Sequence, residues 1–197
     1  MKKFFLPGIF LFAGCAALFG WDIHAPGMMS YGFAQRIQPV NERIALYADP
    51  AAWNFQSRDR GSRTADPQTY HVGEAFVPML IEGFQQAFDE FVFMEVEPTA
   101  DILKQYGIPR LAVVRIRGFK NRVTWSGEGE LQLFTETIML DQNLRQIVRF
   151  ESQGVSDAEK IFAKKGGPEV NLNAAIENNI RAIVQHVQDS LRTGAWQ

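Results

Sequence analysis

One cysteine, three histidines and a few close carboxylate pairs are the residues of this chain whose types could support chemistry. Cys15 has no second cysteine to pair with, so it serves neither a disulfide nor a metal cluster by itself. His24, His71 and His186 lie far apart, and none stands in a spacing such as HExxH that would put two ligands on one helix face. His186 follows Val184 and precedes Val187, which reads as the flank of a buried helical stripe. The pairs Glu95 with Glu97, Glu128 with Glu130, and Asp89 with Glu90 have the functional groups for acid and base work, yet each reads more simply as a solvated edge. A GxSxG elbow, a Walker loop and a Rossmann glycine pattern are all missing from the sequence. Ser126-Gly127-Glu128-Gly129-Glu130 is glycine-rich but falls between two extended runs, so it opens no helix toward a phosphate. The expectation is a non-enzyme with no catalytic residue, no metal and no cofactor.

Cys15 takes its meaning from what precedes it. Lys2 and Lys3 form a short basic region, and Phe4 to Ala13 is an apolar run broken only by Pro7 and Gly8. This is the layout of a secretory signal, and it falls short of the roughly 20 apolar residues of a membrane span. Phe12-Ala13-Gly14-Cys15 resembles the bacterial lipobox, with Phe12 where leucine is usual. The resemblance implies a signal peptide over residues 1–14 and a new N-terminus at Cys15 bearing acyl chains such as palmitate. Ala16, standing where Asp would favour inner-membrane retention, implies the periplasmic face of the outer membrane. The other reading is an ordinary signal cut, for instance after Ala16, that frees a soluble periplasmic protein.

Removing residues 1–14 leaves 183 residues with 18 basic against 22 acidic side chains, a formal charge of −4. One domain of ordinary size fits that length and can bury a real core. No basic excess gathers on one segment, which argues against a nucleic-acid partner. With one cysteine the fold rests on its core alone.

Which elements would hold these residues? Residues 15–41 read as the lipidated end and a tether, interrupted by Pro26, Gly27, Gly32 and Pro39, whose aromatics Phe19, Trp21, Tyr31 and Phe33 either wave free or lie on the membrane or the domain surface. Residues 42–197 read as a single periplasmic α+β domain. Arg43 to Ala48 is a strand, and Gln56 to Gln68 a loop carrying Arg58, Arg60 and Arg63. Those arginines are either a contact with anionic head groups or a partner, or a solvated loop with Asp59 and Asp66 interleaved. From about Gly73 to Glu90, Phe76, Leu80, Phe84, Phe88 and Phe91 recur at helical intervals beside Val77 and Ile81. Pro78 belongs in the first turn, which sets the helix start near Glu74 or Ala75. The phenylalanine stripe is either core or the wall of a lipid pocket. Phe91 to Glu97 reads as a strand with Val92, Met94 and Val96 turned inward, and Ala100 to Tyr106 as a helical turn closed by Gly107. Leu111 to Trp125, Glu130 to Leu140 and Arg145 to Ser152 form an antiparallel meander. The closing helix, capped by Asn171 or Asn173, shows Leu172, Ile176, Ile180, Ile183, Val187 and Leu191 on one face.

The order is therefore β-α-β-β-β-β-α, a mixed but largely antiparallel sheet with two helices on one face. This order behind a lipoprotein start, with Tyr70-His71-Val72-Gly73 leading into the first helix and Phe88 and Phe91 running into a strand, is similar to the small envelope lipoproteins of the YajG and LptE type. It is similar too to the N-terminal domain of TolB and the auxiliary lipoproteins of envelope ABC transporters. The resemblance implies a lipid-anchored protein that docks on or helps assemble an envelope complex, with a membrane and an envelope protein as partners. A second class of function is a periplasmic binding module for a hydrophobic or glycan ligand between the phenylalanine-lined helix and the sheet.

Overall fold

The computed structural model describes residues 20–59, 67–123, 128–156, 159–160 and 167–192. Along the chain run β1 (Trp21–Ile23), α1 (Tyr31–Arg36), β2 (Val40–Ala48), α2 (Pro50–Trp53), β3 (Ser57–Asp59) and β4 (Gln68–Tyr70). There follow α3 (Val72–Ala87), β5 (Phe88–Met94), α4 (Ala100–Gln105) and β6 (Arg110–Val123). The chain closes with β7 (Glu128–Asp141), β8 (Gln146–Val155), β9 (Glu159–Lys160) and α5 (Gly167–Arg192). The main sheet has the order β5-β2-β6-β7-β8, with β9 on β7, and a small sheet has the order β1-β4-β3.

The strand that reads as short in sequence, β2, is central in space. It runs parallel to β5 on one side and to β6 on the other. Ile44, Ala45 and Leu46 are all fully buried, as expected for a strand with packed layers on both faces. Ile44 and Leu46 meet α3 and α5 in the principal core, while Ala45 joins Leu103, Ile108, Leu111 and Val113 in a smaller cluster beneath α4. The β6-β7-β8 meander is antiparallel, with a bulge between Ile116 and Gly118. The α+β class and the two long helices on one face stand as the sequence suggested, while the order differs in detail: α1, α2 and the small β1-β4-β3 sheet are additional, and β2 pairs parallel with both its neighbours.

Close backbone approach fixes how α5 sits. Gly154 of β8 lies against α5, where an added Cβ would be 2.1 Å from the Ala175 carbonyl oxygen. Where α3 crosses α5, a Cβ on Gly83 would be 2.7 Å from a methyl carbon of Ile180. Glycine is the residue that admits such contacts. Asn179 then reaches down from α5 with its Nδ2 donating to the carbonyls of Leu133 and Ser152, both at 3.1 Å, while Thr135 Oγ1 donates to its Oδ1 at 3.0 Å.

Several local expectations are corrected. Residues 20–41 are part of the fold rather than a tether: Ile23, Phe33 and Ile37 are buried to 5% exposure or less in the principal core. Between β1 and α1 the backbone N–H groups of Gly27, Met28 and Ser30 are satisfied by α5 side chains rather than by a ladder. Asn173 Oδ1 accepts from Gly27 N and Met28 N, and Glu177 accepts from Ser30 N at 2.9 Å and Ser30 Oγ at 2.7 Å. Because α5 begins at Gly167, Asn171 and Asn173 are both interior residues of it, not its cap. The first long helix begins at Val72, so Pro78 lies inside it. Pro78 leaves the Glu74 carbonyl without its helical donor, and both residues are exposed, so water can take that bond. The same helix stops at Ala87, three residues before the expected end, because Phe88 turns extended and pairs with Val40. Val96 is 65% exposed rather than turned inward, since β5 ends at Met94. Part of the expected 56–68 loop is a hairpin, with β3 antiparallel to β4.

Candidate functional site

The small sheet assembles two of the three histidines. Parallel pairing of β1 with β4 sets Ile23 opposite Tyr70, so the next residue on each strand, His24 and His71, leaves the sheet side by side. The His71 N–H donates to the Ile23 carbonyl at 3.0 Å and locks that register. The two imidazoles stack with centroids 4.1 Å apart and planes 16° from parallel. His71 is also the residue before α3, so its side chain meets Glu74 in the first turn of that helix.

One carboxylate spans both rings. His24 Nδ1 lies 2.8 Å from Glu74 Oε2, and His71 Nδ1 lies 3.2 Å from Glu74 Oε1. On its other edge, His71 Nε2 lies 3.3 Å from Asp22 Oδ1 of β1, and Gln56 Nε2 approaches His71 Nδ1 at 3.1 Å. His71 is 15% exposed, whereas His24 and Glu74 are more than half exposed. The hydrogen bond to His24, against a weaker effect of desolvation, holds the Glu74 carboxyl below the ordinary range.

A second polar arrangement occupies the sheet face opposite α3 and α5. Glu136 of β7 stands opposite Arg115 of β6 and Glu151 of β8, and the arginines that reach it are Arg117, from the β6 bulge, and Arg149, on the diagonal from β8. The Glu136 side chain is fully buried between the two guanidiniums, which are about half exposed and pair with one carboxylate oxygen each. Arg115 pairs with Asp49 at 3.1 Å beside them, and Lys120 Nζ sits 5.0 Å from the centre of the Phe134 ring. α4 covers only the end of the face near Leu111 and Val113, and no other described helix lies over the rest.

The residues singled out in the sequence separate into three groups. Cys15, Arg60 and Arg63 lie outside the described residues, and Arg58 is exposed on β3. His186 accepts or donates at Ser152 Oγ, 3.2 Å away, and meets the Phe150 ring edge-on, a structural placement. Asp89, Glu90, Glu95 and Glu97 are exposed on or just beyond an edge strand. The spacing of His24 and His71 offered no sign that they meet; the signal lay in two short strands too brief to register. Glu136 and Glu177 were missed because burial of a carboxylate is set by distant partners.

The phenylalanine stripe is core. Phe76, Phe84 and Phe88 are buried to 2% or less in one continuous cluster, with Phe84 5.5 Å from Phe88 and 6.0 Å from Phe91 between ring centres. An open groove of about 370 Å³ lies elsewhere, where α1 meets the last turns of α5, and its lining is polar: Arg36, Gln38, His186, Gln188 and Arg192 among others. No described helix is long and apolar enough to cross a membrane.

No family model and no curated protein sequence matches the chain. Solved structures do. Protein XCC0632 of Xanthomonas campestris, of family DUF330, is similar with a TM-score of 0.50 at 10% identity, over 88% of this chain and 93% of that one. Two further similar structures are protein CT253 of Chlamydia trachomatis, with a TM-score of 0.45 at 5% identity over 80% and 99% of the two chains, and lipoprotein GNA1162 of Neisseria meningitidis, with 0.35 at 6% over 77% and 99%. The chain thus shares its α+β fold with the Xanthomonas protein.

Proposed function

We propose that this chain is a lipid-anchored envelope protein of the outer membrane's periplasmic face. It works without catalysis, by docking its open sheet face on a membrane-associated protein assembly. The observation that carries the docking is the Arg117–Glu136–Arg149 cluster: a fully buried carboxylate on the part of the sheet face that no described helix covers, flanked by half-exposed cations. Such a cluster presents fixed, oriented charge, which gives a partner register and orientation more than raw affinity.

The anchor rests on Phe12-Ala13-Gly14-Cys15.

The test is intact mass and membrane fractionation of the native protein beside Cys15→Ala, combined with photocrosslinkers placed at Lys120 and Arg149. An acylated chain starting at Cys15, lost in the variant, with one recurrent crosslinked envelope protein, is expected. A soluble, unmodified chain removes the anchor, and the lack of any recurrent crosslink from Lys120 or Arg149 removes the docking surface.

A further inference from the structure

The side-chain cluster at the start of α3 has the composition and span of a metal-ion site. We propose that His24 Nδ1, His71 Nδ1 and the Glu74 carboxylate bind one divalent transition-metal ion of the Zn²⁺ class, with Asp22 holding His71 from behind.

The donor set fits that chemistry. The three ligand atoms lie within 4.8 Å of one another. With metal–ligand bonds of about 2.0–2.1 Å, the edge of a tetrahedral shell is about 3.3 Å. His24 Nδ1 lies 2.8 Å from one Glu74 oxygen and His71 Nδ1 3.2 Å from the other, and the two rings stack 16° from parallel, so the exposed His24 ring must turn out of the stack to aim at the ion that His71 and Glu74 hold. Two imidazoles and one carboxylate leave a fourth position for water or for a partner's ligand.

On its other edge His71 Nε2 lies 3.3 Å from Asp22 Oδ1, the carboxylate–histidine arrangement that orients a metal-binding imidazole.

One term opposes the ion: the N-terminus of α3 adds about half a positive charge. The carboxylates of Glu74 and Asp22 outweigh it. The ligands come from residues 24, 71 and 74, so a bound ion would fasten the N-terminal segment to α3.

The test uses the full chain, stripped by a chelator and titrated with Zn²⁺ by calorimetry and with Co²⁺ by visible absorption. One equivalent of Zn²⁺, a tetrahedral Co²⁺ spectrum and a raised thermal midpoint are expected. His24→Ala and Glu74→Gln, both at exposed positions and checked for an unchanged circular dichroism spectrum, should each weaken binding by more than about tenfold, and Asp22→Asn by about tenfold. No saturable binding up to about 100 µM overturns the site. So does stoichiometric binding that either His24→Ala or Glu74→Gln leaves unchanged.

Discussion

Gly154 of β8 and Ala175 of α5 approach so closely that any side chain at 154 would collide with the helix backbone, the nearest contact being 2.1 Å. Gly154→Ala must push α5 off the sheet or bend β8. Overpacking of this kind costs about 1–3 kcal/mol, and the Asn179 hydrogen bonds to Leu133 and Ser152 lengthen with it. Urea unfolding should show the loss as a lower midpoint at unchanged slope. An unaltered midpoint would mean that the helix is free to shift.

Glu177 holds the N-terminal segment to α5. Its carboxylate accepts Ser30 N, Ser30 Oγ and Arg181 Nη2 at 2.7–2.9 Å while only 9% of its side chain is exposed. Glu177→Ala should cost about 2–4 kcal/mol, because the Ser30 N–H and the Arg181 guanidinium lose their shared acceptor in a low-dielectric site. Amide exchange should rise first at residues 27–37 and leave the β6-β7-β8 meander protected.

Removing Glu136 leaves Arg117 and Arg149 beside each other with no intervening charge. Because both guanidiniums reach solvent, the cost of Glu136→Ala is held to about 1–2 kcal/mol. Its sign with salt is more telling. In the native protein added salt screens attraction, whereas in the variant it screens repulsion, so the stability gap should narrow as ionic strength rises. A gap independent of salt would show that the cluster acts through packing.

Asp141 sets a pH dependence in the β7–β8 turn. Its Oδ1 accepts from the backbone N–H groups of Arg145 and Asn143, each at 2.8 Å, and the Arg145 bond above all holds the carboxyl below the ordinary range. A folded-state pKa lowered in this way contributes stability that is present above the unfolded carboxylate pKa and is lost as the pH falls through the folded one. Exchange protection of the 141–146 turn should hold at neutral pH and decline only in acid. Asp141→Asn, measured by the same exchange, should flatten that decline.

The readable and unreadable parts of this chain differ in the range of their causes. Phe76, Leu80 and Phe84 announce α3 by their spacing, and the runs around Leu111, Leu133 and Phe150 announce the meander by alternation, since each pattern is complete within one element. The segment 20–41 carries no period, and its order comes from Asn173 and Glu177, some 146 residues downstream. His24 and His71 meet through a three-residue parallel pairing, too short to leave a mark in sequence. The end of α3 was misplaced for the same reason: Phe88 suits the helical stripe well, and only its pairing with Val40 draws it into a strand.

The attachment of α5 also dictates a timetable. Gln188 Nε2 donates to the carbonyls of Gln38 and Ala87, residues 150 and 101 positions earlier, so the N-terminal segment gains its final partners only when nearly the whole chain is available. A chain emerging N-terminus first carries Phe33, Phe76 and the inner face of β2 uncovered for most of its passage, and loop closure over such separations is slow. The last helix is therefore the step that ends exposure to aggregation. Until it docks, the partly made protein depends on a holding chaperone or on the speed of its own completion.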